Sequence, residues 1–172
     1  ITAQDFSALL NFTLLNMVHQ GQDFSDYLDV SPELSERLLR LLLQYESWEG
    51  RIRQLKTRQY TYTRISRVLT HLLLGITKEM QTEAKEAGFA PYARILGFRR
   101  SAAPLLSRLK KEAEIPLITK TAGVQNLLSG RALALFKQDM YASHVRQCVE
   151  AAVYGLTPRN EFNQPLCILD SE

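Results

Sequence analysis

The sequence KTRQYTYTRISRVLTHLLLGI, Lys56 to Ile76, joins two patterns without a break. Its second half places Ile65, Val68, Leu69, Leu72, Leu73 and Ile76 at the i, i+3, i+4, i+7, i+8, i+11 spacing of a helix with one buried face. Its first half carries Lys56, Arg58, Arg64 and Arg67, with two tyrosines and three threonines and no acid. A helix that starts at Tyr60 or Thr61 drives its apolar stripe into a core and leaves Arg64, Arg67 and His71 on the other face. Thr61 and Thr63 then lie in the first turn, where unpaired backbone N–H groups and the positive end of the helix dipole favour an anion. Lys56 and Arg58 approach from the preceding loop. Lys56, Arg58, Tyr60, Thr61, Thr63, Arg64 and Arg67 therefore read as a phosphate-binding corner. In the alternative, Thr61 only caps the helix, and Arg64 and Arg67 pair with acids of a neighbouring helix.

The elements on either side are mostly helical. Thr2 with Asp5 signals a helix start, after which Phe6, Leu9, Leu10, Thr13, Leu14 and Met17 fall on one stripe. Asp23 to Leu28 reads as a short helical turn. Ser31-Pro32-Glu33 is an N-cap, a first-turn proline and a first-turn acid, followed by Leu34, Leu38, Leu39 and Leu42 at core spacing out to about Tyr45. Ser47 caps a third helix that turns Trp48, Ile52 and Leu55 inward and Arg51 and Arg53 outward, ending near Lys56. Beyond Gly88, PYARILGF and IPLIT read as strands flanking a helix over Ser101 to Glu114, a small βαβ unit with parallel strands. A further helix spans about Gln125 to Tyr154, broken near Gly130, and the tail reads as ordered coil or a short edge strand. The expected fold is mainly α, a multi-helix bundle with a small two-stranded parallel βαβ element. It forms a single domain with a helical body at 1–88, the βαβ element at 89–120, and terminal helices and tail at 121–172.

Charge is unevenly distributed although the net is only +3. Asp23 to Glu49 holds seven acids against Arg37 and Arg40, whereas Gly50 to Lys78 holds seven cations and no acid. A second acid-free block carries Arg94, Arg99, Arg100, Arg108, Lys110 and Lys111. Such segregation attracts phosphate unless the acidic segment folds against it. At 172 residues and 45% hydrophobic content the chain can bury a substantial core. Its longest apolar run is half what a membrane span needs. Cys148 and Cys167, two in so long a chain, fit free thiols in a reducing cytoplasm. The chain opens on Ile1, which reads as a segment of a longer protein. The three histidines lie in separate elements, and metal spacings, phosphate cradles and the nucleophile elbow are all missing, so neither a metal site nor a catalytic constellation is expected.

A family resemblance rests on DFSALLNFTLL at Asp5, DVSPELSERLL at Asp29, the Leu55 to Ile76 run, PYARILGFRRSAAPLLSRLKKEAEIPLITK at Pro91 and DMYASHV at Asp139. In that order they resemble the carboxy-terminal half of the bacterial tRNA(Met) cytidine acetate ligases, formerly described as putative nucleotidyltransferases. The most specific piece is K-T-[KR]-x-Y-T-x-T-R-[IL]-x-R, here from Lys56 to Arg67. Gln59 and Tyr141 depart from the family pattern at positions that are often basic.

The resemblance implies an RNA-modifying ligase that activates acetate with ATP and acetylates the wobble cytidine of elongator tRNA(Met). It further implies that the adenylating His-x-Gly-His centre and its ATP belong to a missing amino-terminal domain, so that this segment carries no cofactor, holds tRNA and is inactive by itself. Three other classes stay open, of which a freestanding enzyme ranks last because the sequence assembles no acid, base or nucleophile constellation. A DNA-binding helix-turn-helix would use the Ser31 and Tyr60 helices, and an interaction scaffold would pair its basic residues with Glu33, Glu36 and Glu46.

Overall fold

The chain begins with the signal read at Thr2: Asp5 Oδ2 accepts the Thr2 N–H at 2.6 Å, closing a capping box before helix α1, Ser7–His19. Leu10, Leu14 and Met17 are buried as expected, but the buried stripe is rotated toward Ser7 and Asn11 and leaves Phe6, Leu9 and Thr13 half-buried. Both polar side chains serve the segment before the third helix. Ser7 Oγ accepts the Trp48 N–H at 2.8 Å, and the Asn11 amide donates to Glu46 O at 2.6 Å. A computed structural model supplies these coordinates and describes residues 1–170. It divides into two compact units, Ile1–Lys85 and a second from Glu86 onward.

In the first unit a short 3-10 turn at Phe24–Asp26 leads to α2, Pro32–Arg40, capped by Ser31. This helix ends earlier than its leucine spacing suggested. Leu34 and Leu38 are buried, while Leu39 is exposed and Leu42 only half-buried. The reason lies in α3, Trp48–Leu55, which starts on its Ser47 cap as read. Arg51, expected to point outward, is 1% exposed. Its guanidinium donates to Leu41 O at 2.9 Å, Gln44 O at 2.7 Å and Asn11 Oδ1 at 3.0 Å. It takes the carbonyls that a longer α2 would have used in its own ladder. Burial pushes Arg51 below the ordinary arginine range, opposed by the nearby Glu46 carboxylate. Arg51 follows Trp48 by three residues and precedes Leu55 by four, so the inward face of α3 includes it by geometry.

Helix α4, Tyr62–Leu74, packs on α1 and α3 and buries Ile65, Val68, Leu69, Leu72 and Leu73, the stripe anticipated from sequence. Gly75 ends it at φ +72°, and the Ile76 N–H returns to His71 O at 2.9 Å. Helix α5, Lys78–Glu86, follows.

In the second unit, β1 (Ala93–Arg94) runs parallel to β3 (Leu117–Ile118) across α6 (Ala103–Glu112), as the βαβ reading required. PYARILGF, however, forms two strands. Its second part, β2 (Gly97–Arg99), pairs in parallel with β4 (Cys167–Leu169), so the tail supplies an edge strand. A Cβ on Gly97 would meet Cys167 O at 2.8 Å, which explains glycine at this close approach. Helix α7, Gly130–Tyr154, places Phe136 and Met140 against Ile118, Val124 and Leu128 in a separate core. The fold is thus mainly helical with small parallel strands. Among the described residues, no helix is long and apolar enough to cross a membrane.

Replacing Arg51 with Met is expected to remove its bonds to Leu41 O, Gln44 O and Asn11 Oδ1 and lower unfolding free energy by about 2–4 kcal/mol. Arg51→Lys should rescue little, because an ammonium lacks the guanidinium fork. Urea denaturation of the variants measures both, and a loss below about 0.5 kcal/mol, the range of an ordinary surface change, would refute the role.

Candidate nucleic-acid interface

The loop before α4 is closed on itself. The Thr57 N–H reaches Tyr60 O and the Tyr60 N–H reaches Thr57 Oγ1, both at 3.0 Å. Thr61 follows as N-cap, accepting the Arg64 N–H at 3.4 Å, so its hydroxyl is committed to the helix end. Thr63 is exposed in the first turn. Lys56 and Arg58 are exposed and Arg64 is half-buried. Among the described residues none of these three cations is paired with a carboxylate.

Tyr60 departs from the role its position suggested. Its ring is 2% exposed, with its hydroxyl 2.6 Å from Ser31 Oγ and 3.4 Å from Glu33 Oε2, so it offers no face to a base. Instead the Arg64 guanidinium lies over the ring, 4.9 Å from its centroid. Tyr60 therefore props the arginine from beneath and ties the corner to the N-cap of α2. The exposed aromatic here is Tyr62, whose hydroxyl donates to Glu49; that bond raises its pKa above the ordinary phenol range.

Arg67 is paired, though not with the α2 acids considered from sequence. Its Nε donates to Asp29 Oδ2 at 2.7 Å, in the turn that precedes α2. His71 Nδ1 lies 3.4 Å from the same oxygen and 3.1 Å from Leu28 O. Sequence reading had not singled out Asp29. The only available signal was an acid in a position where the chain must turn. The two helices that would form a helix-turn-helix, α2 and α4, are separated by α3 and the 56–61 loop rather than by a tight turn.

The second basic block is half neutralised from within its own unit. Arg94 pairs with Glu161 at 3.0 Å, Arg100 with Asp170 at 2.9 Å, and Arg108 with Glu112 one turn along at 3.5 Å. Arg99, Lys110 and Lys111 are exposed and have no carboxylate partner among the described residues. Glu161 is the organising acid that sequence reading missed. Besides Arg94, its side chain accepts from Gln147, its carbonyl accepts from Thr121 at 2.7 Å and its N–H donates to His144 Nε2 at 3.2 Å. Asp139, in the DMYASHV stretch, accepts from Tyr92, and burial with that bond holds the Tyr92 proton well above the usual phenol range. Asp139 and His144 thus serve different partners. No cluster of three or more His, Cys, Asp or Glu side chains able to hold a metal is present among the described residues.

The HIGH Nucleotidyl Transferase family model matches residues 1–158. Curated relatives named tRNA(Met) cytidine acetate ligase include one from Thermoanaerobacter pseudethanolicus, 30% identical over 145 residues, covering 84% of this chain and 34% of the relative. Another, from Bacillus velezensis, is 29% identical over 140 residues, covering 78% and 33%. The chain therefore spans about a third of the length of the curated relatives it matches. A crystal structure of Thermotoga maritima TmcAL bound with alpha-thio ATP superposes with a TM-score of 0.82 at 21% identity, over 98% of this chain and 42% of that one. It shares the fold.

These matches correct one part of the resemblance. A carboxy-terminal domain apart from the nucleotidyltransferase domain had been expected, with ATP confined to a missing partner domain. The family model instead matches this chain directly over residues 1–158, and the missing partner finds no support. The His-x-Gly-His tetrapeptide itself does not occur: His19-Gln20-Gly21 is followed by Gln22, and His71 and His144 have Leu73 and Arg146 where the glycine would stand.

Tyr60→Phe should cost about 1 kcal/mol through the lost Ser31 bond, and Tyr60→Leu about 2–4 kcal/mol through the lost ring. Thermal unfolding checks the order, and equal midpoints for the two variants would contradict the prop.

Proposed function

The chain belongs to the HIGH Nucleotidyl Transferase family, and from that premise we propose that it is an RNA-holding part of a tRNA(Met) cytidine acetate ligase, seating elongator tRNA(Met) for ATP-dependent acetylation of its wobble cytidine. The observation that carries this reading is the corner before α4. Among the described residues Lys56, Arg58 and Arg64 stand there without carboxylate partners, beside the exposed Thr63 hydroxyl. Cations free of internal partners retain their attraction for phosphate, and phosphate contacts position an RNA whose shape and flanking bases specify it. Arg67 joins the same face but is conditional on Asp29. Arg99, Lys110 and Lys111 form a second, weaker set in the other unit.

ATP is the group the family implies. This chain's three histidines lie on α1, α4 and α7 separately, and the sequence holds no glycine-rich phosphate cradle. The three histidines do not meet in one site, and the contribution proposed for this chain is to the RNA side of the reaction. A protein-interaction scaffold is the second reading; the ion pairs with Glu33, Glu36 and Glu46 that it called for are not found among the described residues, and the pairing that does occur is that of Arg94, Arg100 and Arg108 within their own unit.

A salt titration against elongator tRNA(Met), with duplex DNA of equal length as competitor, separates the two. Binding should prefer tRNA. In the Lys56→Ala/Arg58→Ala/Arg64→Ala variant the slope of log affinity against log salt should fall by roughly 2–3, about one counterion per lost cation. The Arg64→Ala/Arg67→Ala pair should fall by less than two, because Asp29 already holds Arg67. An unchanged slope in a folded triple variant would remove the RNA reading and leave the scaffold.

A further inference from the structure

Asp29 occupies a backbone position that suits it poorly. Its φ is +66°, in the left-handed region, as third residue of the turn closed by the Val30 N–H on Tyr27 O at 3.2 Å. Glycine or asparagine is the easier residue there. The turn is pinned from outside, since the Leu28 N–H reaches Ile76 O at 3.0 Å and the Leu28 carbonyl faces His71 Nδ1. A carboxylate held in this strained frame meets Arg67 Nε at 2.7 Å. The Arg67 side chain is nonetheless 56% exposed and that of Asp29 27%, so the pair stands at the surface, where a competing anion can reach it.

Arg67 follows Arg64 by three residues on α4 and so shares its exposed face. We propose that Asp29 is a specificity-determining counter-charge. It occupies Arg67 until an RNA phosphate, delivered by a backbone already seated on Lys56, Arg58 and Arg64, displaces it. This rests on the RNA-holding reading above. A strand anchored at the first three cations presents its next phosphate to Arg67 at high effective concentration, and the carboxylate yields. A free anion, or a duplex whose phosphates miss the corner, must displace Asp29 from bulk and is repelled by it. The discrimination comes from a built-in repulsion rather than from an added contact.

Asp29→Asn removes the charge while keeping a side chain suited to the left-handed region. Its affinity for elongator tRNA(Met) should rise about two- to fivefold, the range an exposed ion pair commands. Affinity for an equal-length DNA duplex should rise further, and the salt slope should steepen by about one counterion. Asp29→Gly, equally suited to this backbone, should behave alike, and adding Arg67→Ala to Asp29→Asn should abolish the gain. Asp26→Asn, at a neighbouring exposed acid, should leave binding unchanged. Two outcomes overturn the counter-charge alone while tRNA binding still depends on Lys56, Arg58 and Arg64: wild-type affinity in Asp29→Asn, or an equal gain in Asp26→Asn. Absence of tRNA binding by the wild-type chain overturns both this proposal and the reading it rests on.

Discussion

The buried guanidinium of Arg51 is the constraint on which the first unit depends. A charge taken out of water must be compensated by nearly ideal acceptors. Here two backbone carbonyls just past α2, the Asn11 side chain on α1 and Gln54 Oε1 serve the two terminal nitrogens, while the buried Nε meets no acceptor among the described residues. Supplying these acceptors ends α2 early, fixes the path from Leu41 to Gln44, and turns Asn11 into the core of α1. One side chain thereby joins three helices that the apolar stripes alone would only have brought near each other. Because α3 is held in this way, the loop that leaves it at Lys56 starts from a defined place.

That loop in turn sets the cation geometry. Tyr60 sits in the core with its hydroxyl on the cap of α2, and the Arg64 guanidinium rests on its ring. The ring offers no exposed face and gives the arginine a fixed platform, which reduces the rotamer freedom that any bound anion would have to freeze. Of the two hydroxyls read as anion ligands, Thr61 is likewise absorbed by architecture, in the cap, and the neighbouring Thr57 is taken up in the loop closure. What remains for a partner is a small set of cations, not the full run of polar residues.

The second unit shows the same economy of charge in the opposite sense. Its basic block contains no acid in sequence, yet Glu161 and Asp170 return from the tail to meet Arg94 and Arg100. The β2–β4 pairing carries the tail back alongside the block. Glu161 also binds Gln147, Thr121 and His144, so the same residue that neutralises Arg94 fastens the tail to α7 and to the strand loop.

Local pattern alone determined the capping signals at Thr2, Ser31 and Ser47, the buried face of α4 and the parallel βαβ crossover, because caps, periodicity and chain punctuation are written within a few residues of where they act. The candidate corner was legible as a run of types, since an acid-free segment entering a helix is a local feature too. Only the tertiary structure decided which of those residues are free. The spacing to Trp48 and Leu55 puts Arg51 rather than Arg53 on the inner face of α3, but only the fold supplies the acceptors that let its charge be buried. Arg64 and Arg67 share a helix face, and one is paired with an acid 38 positions away. Charge neutralisation is a property of distance in space, and acids brought in by a turn or a returning tail leave no trace in the spacing of the cations they meet.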